Sequence, residues 1–152
     1  ENIKFNFIGN GIAEKLIETF IENNPTINVN LFKDLLFEDK NKMLNRGDIA
    51  IISLSKGMRG LAVPSKTYFS LAANKPLLVI ADKDSELEML LKEHPNIGWF
   101  CIAGQPKKIA KQINQIYKSG IDKKNSKPYL TAKNFYEYSK IKQQFIDLID
   151  EI

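Results

Sequence analysis

The segment Ser55-Lys-Gly-Met-Arg-Gly-Leu-Ala-Val-Pro64 holds two glycines and two cations and leads straight into Ser65 and Lys66. That combination suits an anion of the phosphate type. Backbone N–H groups at a helix start have no intrahelical partner and together carry about half a positive charge; Lys56, Arg59 and Lys66 would add full charges beside them. A flexible loop with incidental lysines would have the same composition. What raises this one above that is its place after the β-branched run Asp48 to Leu54.

A second glycine turn, Gly9-Asn10-Gly11, follows the apolar alternation of IKFNFIG, and Asp34 follows the next apolar run. These are parts of a dinucleotide-binding fingerprint, but the third glycine would fall at Glu14, where a carboxylate would repel a pyrophosphate. The turn is better read as a place where a ligand can approach the backbone closely. Asp82-Lys83-Asp84 has the Asp-x-Asp spacing of a divalent-cation site. Asp84, Ser85 and Glu86 make a good helix start by themselves, and that simpler reading is preferred, so no metal or other cofactor is expected. His94 lies beside a helix-ending proline with no second histidine in the chain, which suits a capping or surface role. The methionines, Trp99 and Cys101 are assigned to packing.

Cys101 is the only cysteine, which excludes a disulfide or a cysteine-based metal site within the chain and is compatible with a reducing compartment. The formal charge is +4, carried almost wholly by lysine, Arg46 and Arg59 being the only arginines. Base-edge readout leans on arginine forks, so no nucleic-acid partner is expected. Lysines crowd the stretch from Lys107 to Lys142. A solvated helical face explains them; the alternative is an acidic membrane surface or partner. The apolar runs are strand-sized, far below the roughly 20 residues that span a bilayer. The expected location is therefore cytoplasmic, with a peripheral place at the inner face of the membrane as a further expectation. The chain opens at Glu1 without an initiator methionine or a leader, an abrupt start that suggests an artificial boundary or a processed fragment.

Strands and helices alternate along the chain. Strands are expected at Ile3 to Gly9, Val29 to Phe32, Asp48 to Leu54, Pro76 to Ala81 and Ile97 to Ile102. Helices are expected at Ile12 to Asn24, Phe37 to Arg46, Ser65 to Asn74, Ser85 to His94 and Pro106 to Tyr117. Ser65 and Ser85 are read as N-caps, and Asp48 to Leu54 as a strand buried on both faces. After a polar connector from Ser119 to Lys127, two more helices are expected near Thr131 to Tyr138 and Lys140 to Ile152. This order predicts one α/β domain, a Rossmann-like parallel sheet with helices on both faces and ligands beyond the carboxyl ends of its strands. Ile141, Phe145, Leu148, Ile149 and Ile152 would form an apolar stripe on the last helix.

From Ile3 to about Tyr117, and more loosely beyond, the chain resembles the C-terminal domain of family-four, GT-B-type bacterial glycosyltransferases that build surface polysaccharides. The resemblance lies in FNFIGNG, in DIAIISLSKGMRGLAVPSKTYFSLAANKP and in DSELEMLLKEHPNIGWFCI. It implies a nucleoside-diphosphate-sugar donor, with Gly9, Gly11, Ser65 and Lys66 bordering the diphosphate, and Lys66 with Lys56 or Arg59 stabilising it as it departs. No metal is implied. Many relatives place a ribose-binding glutamate where this chain has Phe69; Tyr68 and Glu86 are the candidates to replace it. Asn74 stands where a glycine usually precedes Lys-Pro, a change compatible with a left-handed turn. Relatives also carry a further strand and helix and an N-terminal acceptor domain ahead of this segment, so the isolated chain is not expected to transfer sugar. Two rivals stand beside this reading: a non-catalytic nucleotide-binding or regulatory module of the same fold, and a dinucleotide-dependent enzyme using Gly9 and Asp34.

Overall fold

A computed structural model describes residues 3–33 and 40–150. Asp34 and residues 37–39 of the expected second helix lie outside the described residues, as does Ile152. The chain divides into two compact units, Glu1–Gly47 and Asp48–Ile152.

The first unit contains β1 (Phe5–Ile8), α1 (Glu14–Asn23), β2 (Val29–Phe32) and α2 (Lys40–Asn45). β1 and β2 pair in parallel, Phe5 opposite Val29 and Ile8 opposite Phe32. The ladder runs one step further, Gly9 N–H donating to the Phe32 carbonyl at 3.0 Å. Across the strands, Asn30 donates its side-chain amide to Asn6 Oδ1 at 2.8 Å, so this pair of polar side chains satisfies itself. α1 buries no residue, and Ile12, Leu16 and Phe20, at four-residue spacing, are all exposed.

The second unit contains β3 (Ala50–Ser53), α3 (Lys66–Ala72), β4 (Leu77–Ala81), α4 (Glu86–Glu93), β5 (Gly98–Ile102), α5 (Pro106–Ser119), α6 (Lys127–Phe135) and α7 (Tyr138–Asp150). Its three strands form a parallel sheet in the order β3-β4-β5. Side chains of a strand alternate between faces, and β4 shows it. Leu77, Val79 and Ala81 join Leu71 of α3, Leu87 and Leu90 of α4, and Ala132 of α6. Leu78 and Ile80 join Cys101 of β5 and Ile109, Ile113 and Ile116 of α5. The three isoleucines fall three or four residues apart, on one face of α5. Helices thus cover both faces of this sheet, the Rossmann-like arrangement expected from the alternation of elements. Among the described residues the parallel strands pair as β1-β2 in the first unit and β3-β4-β5 in the second.

Four local expectations are corrected. β3 is not buried on both faces: Ile52 is buried, but Ile51 is 40% exposed and Ser53 is exposed. Within its sheet it pairs only with β4, and the sequence does not show which strands lie at an edge. Ser65 is not a side-chain cap. Its own backbone is helical (φ −57°, ψ −28°), and the first turn closes through Thr67 N–H to the Pro64 carbonyl at 3.0 Å. A cap requires extended backbone so that the side chain can reach the second or third amide. Ser85 has that backbone (φ −77°, ψ 159°), yet its buried hydroxyl makes no hydrogen bond. Finally, α6 starts at Lys127 because Pro128 occupies its first turn, where a missing N–H costs nothing.

The end of α3 follows expectation. Asn74 adopts φ 56°. Around it Asn74 N–H donates to the Leu71 carbonyl at 2.8 Å and Lys75 N–H to the Ser70 carbonyl at 2.9 Å, the paired bonds of a Schellman motif. The Asn74 side chain then ties in the later chain, accepting from Tyr129 N–H and donating to the Asn125 carbonyl, both at 3.1 Å. A glycine would supply the turn but neither bond.

Thr67 is fully buried and its hydroxyl has no hydrogen-bond partner. An unsatisfied buried hydroxyl costs about 1–3 kcal/mol. Thr67→Val, which keeps the branched shape, is expected to stabilise the second unit by about 1 kcal/mol, read from urea unfolding followed through Trp99. A loss of stability of that size would show that the hydroxyl has an acceptor.

Candidate functional site

The glycine turn of the first unit stands at the carboxyl ends of β1 and β2. Gly9 has φ 129°, a conformation L side chains rarely adopt, and a Cβ added at Gly9 or Gly11 would meet nothing within 4 Å. A depression of about 340 Å³ opens there, lined by Gly9, Gly11, Glu14, Ile17 and Leu31 among others. Glu14 is not an isolated charge: Lys33 Nζ lies 2.7 Å from its carboxylate and also pairs with Glu18. Hydrogen bonds to these two carboxylates push the Lys33 ammonium well above its ordinary pKa. The repulsion expected of Glu14 toward a pyrophosphate is thereby reduced, although one ammonium shared by two carboxylates leaves the cluster net negative.

In the second unit the glycine loop after β3 meets the turn between β4 and α4. Gly57 has φ 88° and Gly60 φ 74°, and neither position has an atom within 4 Å of where a Cβ would stand. Gly57 N–H donates to Asp82 Oδ2 at 2.6 Å, and Gly60 N–H to Glu86 Oε2 at 3.3 Å. Sequence reasoning read Asp82 only as half of an Asp-x-Asp pattern and Glu86 as part of a helix start and a ribose candidate. It missed that both carboxylates hold the loop, because the partners lie 25 and 26 residues apart. Glu86 does lie in the first turn of α4, and the acid that tightens this helix start is Glu88, which accepts from Asp84 N–H and pairs with Lys92 at 3.0 Å. These bonds hold the Glu88 carboxyl below the usual carboxylate range, the Asp84 N–H contributing most.

Lys56, Arg59, Ser65 and Lys66 are all exposed. Among the described residues, none of the ion pairs joins Lys56, Arg59 or Lys66 to a carboxylate. Lys66 is the first residue of α3. Tyr68, one turn into the same helix, packs its ring against Tyr136, centroids 4.7 Å apart, and burial raises its phenol pKa. His94 packs on Phe135 at 4.6 Å, a structural place in keeping with its expected role. Cys101 is buried in β5, and burial pushes its thiol up. Among the described residues no group of three or more histidine, cysteine or acidic side chains is placed to hold a metal ion.

Another depression, of about 560 Å³, lies at the amino edge of the three-stranded sheet, where Asp48, Pro76 and Gly98 precede or open the strands. This is the opposite edge from the one expected for ligands. Asn74 and Asn125, which line it, spend their side chains on internal bonds: Asn125 donates to the Asn96 carbonyl at 2.8 Å and accepts from Lys127 N–H at 3.0 Å.

No family model matches the chain, and no solved structure matches it. Over 144 residues it is 31% identical to a protein of Pseudomonas aeruginosa described as probable glycosyltransferase WbjE. That match covers 94% of this chain and 36% of the other, so the chain spans about a third of the length of the relative. No helix among the described residues is long and apolar enough to cross a membrane.

Proposed function

We propose that this chain is the donor-binding part of a glycosyltransferase, holding a nucleoside-diphosphate sugar whose sugar is passed to an acceptor hydroxyl in polysaccharide synthesis. The observation that carries this reading is the 31% identity to a probable glycosyltransferase across 94% of the chain. The geometry supports it with two glycine turns at which a Cβ would meet nothing within 4 Å and three exposed cations without carboxylate partners among the described ion pairs.

In this reading Lys56, Arg59 and Lys66 of the second unit supply positive charge to the donor diphosphate, and the turn at Gly9 and Gly11 is the donor-binding candidate of the first unit. Ser65 immediately precedes α3, beside Lys66. Ribose recognition falls to Glu86 or Tyr68. The chemistry needs no metal, because fixed cations can stabilise charge developing on the leaving diphosphate. An acceptor-binding domain outside this segment would supply the other wall of the cleft and any base, and an acidic membrane surface is the expected setting of a cytoplasmic enzyme acting on a lipid-linked acceptor.

Titration of the chain with UDP, GDP and NAD by calorimetry tests the proposal. Binding of a nucleoside diphosphate, weakened at least about fivefold by Lys66→Ala, is the expected result; loss of a charged hydrogen bond accounts for that size. Binding of NAD alone would favour the dinucleotide reading, and binding of neither would remove the donor site. No sugar transfer by the isolated chain is expected, since one wall of a cleft cannot orient two reactants.

A further inference from the structure

The loop after β3 already binds anionic oxygens: its own. Gly57 and Gly60, both at positive φ, give their N–H groups to the carboxylates of Asp82 and Glu86. Glycine turns of this kind form anion-accepting concavities from backbone donors. Each N–H has one hydrogen to give, so a phosphate oxygen can take the Gly57 donor only if Asp82 leaves it. The cations are not spent in the same way, because Lys56, Arg59 and Lys66 enter none of the ion pairs found among the described residues. The loop therefore has its amides covered and its cations open.

We propose that Asp82 and Glu86 are built-in competitors for the anion site of this loop and set its affinity: a diphosphate binds by displacing them from Gly57 and Gly60. This rests on the reading of the loop as a diphosphate site. The two competitors are unequal. Asp82 holds Gly57 at 2.6 Å and Glu86 holds Gly60 at 3.3 Å, so Asp82 is the stronger. A charge-assisted bond is roughly twice as strong as a neutral one. Replacing the carboxylate by an amide keeps an acceptor for the glycine and the shape of the loop, while weakening the hold and removing a negative charge from beside the ligand.

The test titrates inorganic pyrophosphate into the parent chain, Asp82→Asn and Glu86→Gln at low salt, following the Gly57 and Gly60 amide signals by NMR. Pyrophosphate is expected to move both signals, to bind about 3- to 10-fold more tightly to Asp82→Asn, and to gain less in Glu86→Gln. Unchanged signals at Gly57 and Gly60 on saturation would overturn the inference. Weaker binding to Asp82→Asn would also overturn it, showing that the carboxylate positions the loop for its ligand. UDP and GDP run in parallel on the parent and Asp82→Asn separate the two levels: a nucleoside diphosphate bound equally by both ends the competition but leaves the donor reading intact. If neither pyrophosphate nor nucleotide binds, both fall.

Discussion

Gly98→Ala is expected to destabilise the second unit by about 3 kcal/mol, roughly a hundredfold in its folding equilibrium. A Cβ at this position would lie 2.2 Å from the Leu77 carbonyl oxygen and 2.9 Å from its carbon and nitrogen. Those atoms are backbone of the central strand β4, in register with Gly98, so no flexible side chain can turn aside. Relief requires β5 to move away from β4. That would loosen the register of five pairs, Leu77 with Gly98 through Ala81 with Ile102. Gly11→Ala is the control, because a Cβ there would meet nothing within 4 Å and its φ is not in the left-handed region. Urea unfolding followed by circular dichroism distinguishes them; a Gly98→Ala midpoint equal to the parent's would mean the two strands are not so close.

The second large effect is on chemistry. In the complete transferase proposed above, Lys66→Ala is expected to lower turnover about 10- to 100-fold while weakening donor binding less. Negative charge grows on the diphosphate as the bond to the sugar breaks, so a cation beside it interacts more strongly with the transition state than with the bound donor. A hydrogen bond to a charged group contributes roughly 1.5–3 kcal/mol, which sets the size of the loss. The placement of Lys66 on the first residue of α3, exposed and without a carboxylate partner among the described ion pairs, leaves its charge available. Lys124→Ala, at an exposed lysine of the connector before α6, is the control and should change little. Equal turnover in the two variants would remove Lys66 from the reaction.

Much of the fold was legible because its signals are local. Val29–Phe32 was read to the residue, and β4 was found as a short apolar run after Pro76. Asn74 could be read as a left-handed turn from the residue type alone. The errors arose where a residue's role depends on something distant or on its own dihedrals. Ser65 and Ser85 are good capping residues by type, but one has helical backbone and the other a buried hydroxyl without a partner. Ile51 reads as core within DIAIISL, and only the pairing of strands reveals its exposed face. The candidate cations and glycines were visible as a composition in one loop. The carboxylates that occupy its amides were not, since nothing in Asp82-Lys83-Asp84-Ser85-Glu86 points back to Gly57. The apolar stripe on α7 was legible as well, and Phe145, Leu148 and Ile149 are exposed.

Cys101 gives the chain a reporter of its own motions. It is the only thiol, it sits in β5 three residues from Gly98, and it is 7% exposed with its pKa raised by burial. A thiol alkylates as the thiolate, so the folded strand is shielded twice, by neighbours that exclude reagent and by a proton that is hard to remove. Modification by an external reagent must then await an opening of the strand. Its rate counts how often β5 parts from α5 and β4, long before the whole unit unfolds. One atom of sulfur thus makes the rarest excursions of this sheet countable without adding a label.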